Sequence, residues 1–266
     1  VLGWLELWHQ TEWPELEVYF TSVTDQWATC SFAGPNSRKV LEKLCTDADL
    51  SAEAMKFMDY REGTVAGIKA RIFRISFTGE LSFEVNVPAD QGHYMWKKLM
   101  EAGEEFGITP YGTESMHVLR AEKGFIIAGQ DTDGSMTPQD CLMGWAVSKT
   151  KSFSFLGERS FTRPDTARAD RKQLVGLKPI DPTVVIPEGS QIVMDPNQPI
   201  PMDMMGHVTS SYWSECLGHG IAMGTVKSGS DRMGQTVYCP QADGRVLAAQ
   251  ICSPVFYDPK GDHHND

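Results

Sequence analysis

The chain has no apolar run long enough to cross a bilayer and no signal-peptide pattern. A cytoplasmic location without a membrane role is therefore expected. Positive charge is scarce: 24 Lys and Arg face 35 Asp and Glu, the net charge is −11 and the pI is near 5.1. Apart from short groups such as Arg168 to Lys172, the basic residues are dispersed. That balance argues against nucleic acid or an anionic membrane surface as partner. None of the six cysteines, at positions 30, 45, 141, 216, 239 and 252, belongs to a C-x-x-C pair. Neither a zinc ribbon nor a thioredoxin-type site is indicated by that spacing, and buried free thiols are expected. There is no G-x-G-x-x-G or Walker pattern, so no dinucleotide is held by that route. No Ser-His-Asp order has a supporting motif, and there is no sequence repeat or low-complexity tract.

What is present is a patterned α+β chain. Leu2, Leu5 and Trp8 stand at helical spacing and Pro14 ends that helix. The chain opens without Met inside this helical pattern, so a fragment or processed chain is expected. Residues 18–24 and 27–32 read as strands. Ser37 is placed to cap a helix carrying Val40, Leu41 and Leu44. Ile68 to Phe77 and Leu81 to Val87 read as a hairpin. A helix then begins at Ala89-Asp90, with Tyr94, Leu99 and Met100 on its apolar side. This β-β-α order, twice over, predicts a ferredoxin-like, split β-α-β module. Met116 to Phe125 reads as a helix ended by Gly124, and Thr137-Pro138 as a helix start. Phe153 to Ala169 is polar and irregular, which predicts a connector. From Arg171 onward short β-rich runs alternate with Asp-Pro and Asp-Gly turns, which predicts a small antiparallel barrel able to survive limited proteolysis. The expected division is 1–152 for the first region, 153–170 for the connector and 171–266 for the barrel.

The stretch from Arg74 to Pro88 carries the most information. Phe83, Val85 and Val87 alternate with Ser82, Glu84 and Asn86, the period of a half-buried strand. Thr78-Gly79-Glu80 supplies the turn before it, and Glu80 is read as turn chemistry. Glu84 is expected to point away from the apolar face on a rigid element, where a carboxylate can grip a polar ligand. Downstream come Leu119-Arg120-Ala121-Glu122-Lys123-Gly124 and Asp131-Thr132-Asp133 leading to Thr137-Pro138.

A T-G-E-x-x-F-E strand, then L-R-x-E-K-G, then D-x-D-x-x-x-T-P in this order resembles the folate-binding domain of the glycine cleavage T-protein (aminomethyltransferase) family. The fuller wording is similar to the C-terminal region of the α subunits of heterotetrameric sarcosine oxidases. It lies in ITPYGTESMHVLRAEKGF, GQDTDGSMTPQD, DRKQLVGL, GHVTSSYWS and SPVFYDP, and the likeness runs from Trp4 to Pro259. The resemblance implies tetrahydrofolate as cofactor, with flavin only on partner subunits. It implies an activity in which the imine from oxidised sarcosine is captured to give 5,10-methylenetetrahydrofolate and glycine. A free-standing folate-dependent aminomethyl- or methyltransferase and a non-catalytic interaction module are the alternatives.

By the same resemblance Glu84 bonds the pterin ring and Tyr257, through SPVFYDP, contacts folate. Tyr111 and Trp145 are aromatic candidates for the ring walls; Trp145 reads equally well as core. Met116 stands where T-proteins carry an arginine that helps to hold folate. Arg120, Glu122 and Glu80 are assigned structural support, with Arg120 expected to pair with Glu122 or Glu114. The family's key Asp lies in a D-D-G-like segment upstream of Val1. The catalytic residue is therefore unassigned and the chain alone is expected to be inactive. Glu84 and Tyr257 are expected to face one cavity. No metal is expected: Leu142 stands where a calcium loop beginning at Asp131 needs Glu, and His263-His264 read as a solvated, frayed terminus. His117 and His207 read as structural histidines.

Overall fold

The computed structural model describes residues 1–265 and comprises two compact units. The first holds Val1–Ser76, Glu80–Pro110 and the residues from His263 on; the second holds Phe77–Gly79 and Tyr111–Asp262. The segment from Tyr111 to Ser152, assigned to the first region by sequence, groups by packing with the second unit.

The first unit is a four-stranded antiparallel sheet in the order β1-β4-β3-β2. Its strands are β1 (Trp27–Ala33), β2 (Tyr60–Val65), β3 (Ile68–Phe73) and β4 (Ser82–Pro88). Both β1 and β3 run opposite to β4, so they are parallel to each other with β4 between them, which is the split relation. Helices α2 (Ser37–Leu44) and α3 (Gly92–Gly103) share one core with this sheet. Phe83, Val85 and Val87 of β4 are fully buried in that core with Leu41 and Met95. Each such side chain contributes about 1.5–3 kcal/mol by leaving water.

Several local expectations are corrected. Residues 18–24 form no strand; they lie outside the sheet, and Tyr19 is 93 % exposed. The first of the two expected β-β-α passes therefore has one strand, β1. Strand β2 has little local sequence signal, because Tyr60-Arg61-Glu62 is polar and the turn after it is Ala66-Gly67 rather than Asn-Gly. Both turn residues have positive φ (49° and 85°), which suits a two-residue hairpin loop. Ser37 does not cap α2: Asn36 holds the cap position, and the Ser37 hydroxyl donates to the Leu81 carbonyl at 3.0 Å. The buried face of α3 is Met95, Leu99 and Ala102, while Tyr94 is exposed and its hydroxyl donates to the Ala66 carbonyl. Helix α1 (Leu2–Thr11) buries none of its residues. The last helix, α5 (Asp262–Asn265), replaces the expected frayed end. His264 there packs its ring 4.7 Å from Phe57, and His263 Nδ1 lies 3.7 Å from Glu80 Oε2.

The second unit is the barrel with helix α4 (Thr113–Glu122). The sheet order is β6-β7-β8-β5-β10-β9, every pairing antiparallel. The strands are β5 (Lys172–Pro179), β6 (Gln191–Ile192), β7 (Gly206–Ser214), β8 (His219–Lys227), β9 (Thr236–Pro240) and β10 (Val246–Cys252). Val193 and Tyr238 exchange backbone hydrogen bonds of 2.9 Å, joining the β6 side to β9 and closing the barrel. Val175, Leu177, Ile192, Val226, Val237 and Ile251 fill its interior. Asp181, Asp195 and Asp243 each accept a backbone N–H two residues on, the Asx turns that the Asp-Pro and Asp-Gly spacing implied.

Thr137-Pro138 starts a single turn rather than a helix. The cap forms, since Asp140 Oδ2 accepts the Thr137 N–H and hydroxyl at 2.8 and 2.9 Å. Propagation fails because β5 takes the carbonyl that the helix would need: Leu174 N–H donates to Asp140 O at 2.8 Å. Among the described residues, no helix is long and apolar enough to cross a membrane.

Candidate functional site

In the first unit the β4 register sets Glu84 opposite Ser31 on β1 and Phe73 on β3. It lies on the face away from the helices, as the alternation requires. The side chain is half-buried, and its carboxylate makes no hydrogen bond or ion pair with the described residues. Burial pushes its carboxyl above the ordinary glutamate range. On the same face, two residues along, Asn86 borders a concavity of about 360 Å³ that Trp27, Thr29, Arg71 and Phe73 also line. The Arg71 guanidinium stands 4.0 Å over the Trp27 ring. Asn86 Oδ1 accepts from Thr29 Oγ1 at 2.5 Å, while its buried Nδ2 has no partner. A polar, half-dry sheet face of this kind can receive a flat ligand that carries both donors and acceptors.

The raised Glu84 carboxyl has a consequence for stability. The folded state favours the neutral acid, so this contribution is fully present below the unfolded pKa and is lost as pH rises through the folded one. Glu84→Gln should therefore stabilise the first unit at neutral pH. The gain should vanish below about pH 4, where Glu84 is protonated in both states. Urea midpoints measured across this range check the sign; a gain that persists in acid would mean that burial of the charge is not its cause.

In the second unit α4 carries Met116, half-buried, and ends at a hub. Arg120 is fully buried, and its partner is neither Glu122 nor Glu114. Arg120 Nη1 donates to Asp131 Oδ2 at 2.5 Å and to the Phe125 carbonyl at 3.0 Å; Nη2 donates to Ser210 Oγ at 2.7 Å. Asp131 also accepts from the Ile127 N–H and from the Thr209 and Ser210 hydroxyls. Glu114 is exposed, and Glu122 Oε1 accepts from Ser214 Oγ at 2.6 Å. Sequence spacing favoured an in-helix pair; burial favoured a partner with three other donors around it.

The SPVFYDP segment straps this hub. The N–H groups of Phe256 and Tyr257 both donate to the Glu122 carbonyl at 2.9 Å. Lys123 Nζ donates to the Asp258 carbonyl and Oδ2 at 2.6 and 2.7 Å. Tyr257 is thereby fixed beside the end of α4. Tyr111 precedes α4, and burial pushes its phenol up. Trp145 is 80 % exposed on a short 3₁₀ turn, so it is not core. Among the described residues no group of three or more His, Cys, Asp or Glu is placed to hold a metal. Asp131 is instead committed to Arg120, while Asp133 Oδ1 accepts the Ser135 N–H and hydroxyl.

The GCVT N-terminal domain family matches residues 1–151, and the glycine cleavage T-protein C-terminal barrel domain family matches residues 172–258. The chain is 49 % identical over 98 % of its length to sarcosine oxidase subunit alpha of Corynebacterium sp. (strain U-96), and 38 % identical over 98 % to that of Rhizobium meliloti (strain 1021). It spans only 27 % and 26 % of those relatives. It is 33 % identical over 80 % of its length to the aminomethyltransferase of Halothermothrix orenii, covering 57 % of that protein. Among solved structures, the glycine cleavage system aminomethyltransferase T from Bartonella henselae superposes with a TM-score of 0.72 at 25 % identity, over 88 % of this chain and 60 % of that one. An α+β first unit, a closed antiparallel barrel and two family matches that follow one another along the chain place it in the glycine cleavage T-protein family.

Proposed function

We propose that the chain is the tetrahydrofolate-binding part of a sarcosine oxidase α subunit. There the imine from oxidative demethylation of sarcosine is captured to give 5,10-methylenetetrahydrofolate and glycine. On this reading the flavin that oxidises sarcosine sits on partner subunits, the assembly is cytoplasmic, and this chain alone is inactive. Tetrahydrofolate, when bound, supplies the amines that take up the one-carbon unit.

The observation that carries the reading is Glu84. A half-buried carboxylate with no protein partner among the described residues, on a strand paired on both sides, is costly unless a ligand completes it. Its two oxygens can accept the adjacent N–H groups of a pterin edge in bidentate fashion. The chain's own part is to bind, orient and keep water away while transfer proceeds. Tyr111, Trp145 and Tyr257 are proposed as further folate contacts. Met116 gives the folate tail an apolar neighbour in place of the arginine of the T-proteins, and the hold on a tail carboxylate should be weaker for it.

Titration calorimetry with folinic acid tests the proposal on wild type, Glu84→Gln and Glu84→Ala. Removal of the charged acceptor should cost about 1.5–3 kcal/mol, roughly tenfold or more in Kd. Equal affinities for wild type and Glu84→Ala would remove Glu84 from the site.

A further inference from the structure

The second unit carries a concavity of about 470 Å³ beside β5, β7 and β8, on which the folate reading makes no claim. Its lining holds four cationic and four anionic side chains, Arg168, Arg171, Lys172 and Lys227 against Asp131, Asp133, Asp165 and Asp170. Most of these charges are spent on each other or on neighbours. Arg168 bridges Asp165 and Asp170, Arg171 bridges Asp140 and Asp165, Asp131 holds Arg120, and Lys227 faces Asp203 at 3.6 Å. Two charges are left over. The Lys172 ammonium makes no hydrogen bond or ion pair with the described residues. The Asp133 carboxylate has no cationic partner; it accepts only the Ser135 N–H and hydroxyl, at 2.8 and 2.6 Å. The Ser135 bonds hold Asp133 below the usual carboxylate range, so it is ionised at neutral pH.

His207 on β7 lines the same concavity. Its Nδ1 lies 3.5 Å from Thr225 Oγ1 on β8, and its Nε2 has no partner among the described residues. Burial, then the nearby Lys172 charge, lower its pKa, with Asp133 opposing them. The ring is therefore neutral at pH 7. The Thr225 hydroxyl can donate to Nδ1 or accept from it; in the tautomer where it donates, Nε2–H is a free donor.

One concavity thus offers a cation without an ion pair, a carboxylate without an ion pair and, in that tautomer, a neutral N–H donor, within a lining of balanced charge. A simple anion would meet Asp133, and a simple cation would meet Lys172. A ligand carrying both charges satisfies both. We propose that this concavity binds a small zwitterion of the α-amino acid class, its carboxylate on Lys172 and His207 Nε2–H and its ammonium on Asp133. This site stands apart from the folate reading and does not depend on Glu84.

The test follows the His207 ring protons by NMR in the full chain, titrated with glycine, acetate or methylammonium. Glycine is expected to shift the His207 signals saturably, and acetate and methylammonium to bind at least tenfold more weakly. Lys172→Gln and Asp133→Asn should each weaken glycine roughly tenfold or more, while Glu84→Ala leaves it unchanged. Both Lys172 and Asp133 lie outside the hydrophobic cores, so these variants should fold; unchanged spectra elsewhere in β7 and β8 check this. The proposal is overturned if glycine gives no saturable shift up to its solubility limit, or if acetate binds as well as glycine. It is also overturned if either charge can be removed without loss.

Discussion

Asp131→Ala is expected to destabilise the barrel unit by about 3–5 kcal/mol, because it leaves the fully buried Arg120 guanidinium without its counter-charge. Arg120 and Asp131 side chains are both 0 % exposed, at 2.5 Å. Asp131 also closes the loop after α4 through the Ile127 N–H, and reaches β7 through Thr209 and Ser210. Three parts of the chain therefore lose a shared acceptor at once. Arg120→Met combined with Asp131→Leu should cost less than Asp131→Ala alone, since it removes the charge as well as its partner. Denaturant unfolding followed by hydrogen exchange at β7 and β8 amides measures both. If Asp131→Ala costs under about 1 kcal/mol, the pair behaves as a solvated surface bridge and the hub does not organise this unit.

That hub marks the limit of what the sequence discloses. The period-two run Phe83, Val85, Val87 placed Glu84 on a strand and on the correct face, because a one-residue slip would bury a carboxylate. The six barrel strands were legible because turn residues punctuate them at short intervals, and Gly124 ends α4 as a positive-φ residue should. Arg120 was assigned a neighbour in its own helix because i,i+2 and i,i−6 carboxylates were all that spacing could weigh. The true partner stands eleven residues on, in a motif that looks like the start of a calcium loop. Nothing in local pattern distinguishes an aspartate that binds a cation from one that binds a guanidinium. β2 and the failed helix at Thr137 have the same origin. In each case a long-range backbone partner, β3 for the one and Leu174 for the other, decided a segment whose local signal was weak or pointed elsewhere. The placement of Lys172, His207 and Asp133 around one concavity was likewise invisible, since it depends on β5, β7 and β8 lying side by side and on the loop packed against them.

Gly124→Ala should destabilise the same unit by about 2–5 kcal/mol and loosen the segment that carries Tyr257. Two costs add. Gly124 has φ +73°, where an alanine pays about 1–2 kcal/mol. A Cβ there would also stand 2.7 Å from the Pro254 carbonyl oxygen and 2.9 Å from its carbon. Backbone atoms cannot turn aside as a side chain can, so the strap itself must shift, at about 1–3 kcal/mol for overpacking. The strap is held to α4 by the Phe256 and Tyr257 N–H bonds to Glu122 O and by Lys123 on Asp258. Displacing Pro254 therefore strains the contacts of Phe256, Tyr257 and Asp258 that follow it. Gly124→Asn tolerates the left-handed backbone better but keeps the Cβ, so it should recover only the smaller part of the loss. Gly134→Ala, with nothing within 4 Å of the added atom, serves as the control and should stay within about 0.5 kcal/mol of wild type. Hydrogen exchange at the Phe256 and Tyr257 amides reads the strap directly. Protection there unchanged in Gly124→Ala would mean that the close approach of Pro254 to Gly124 does not hold Tyr257 in place.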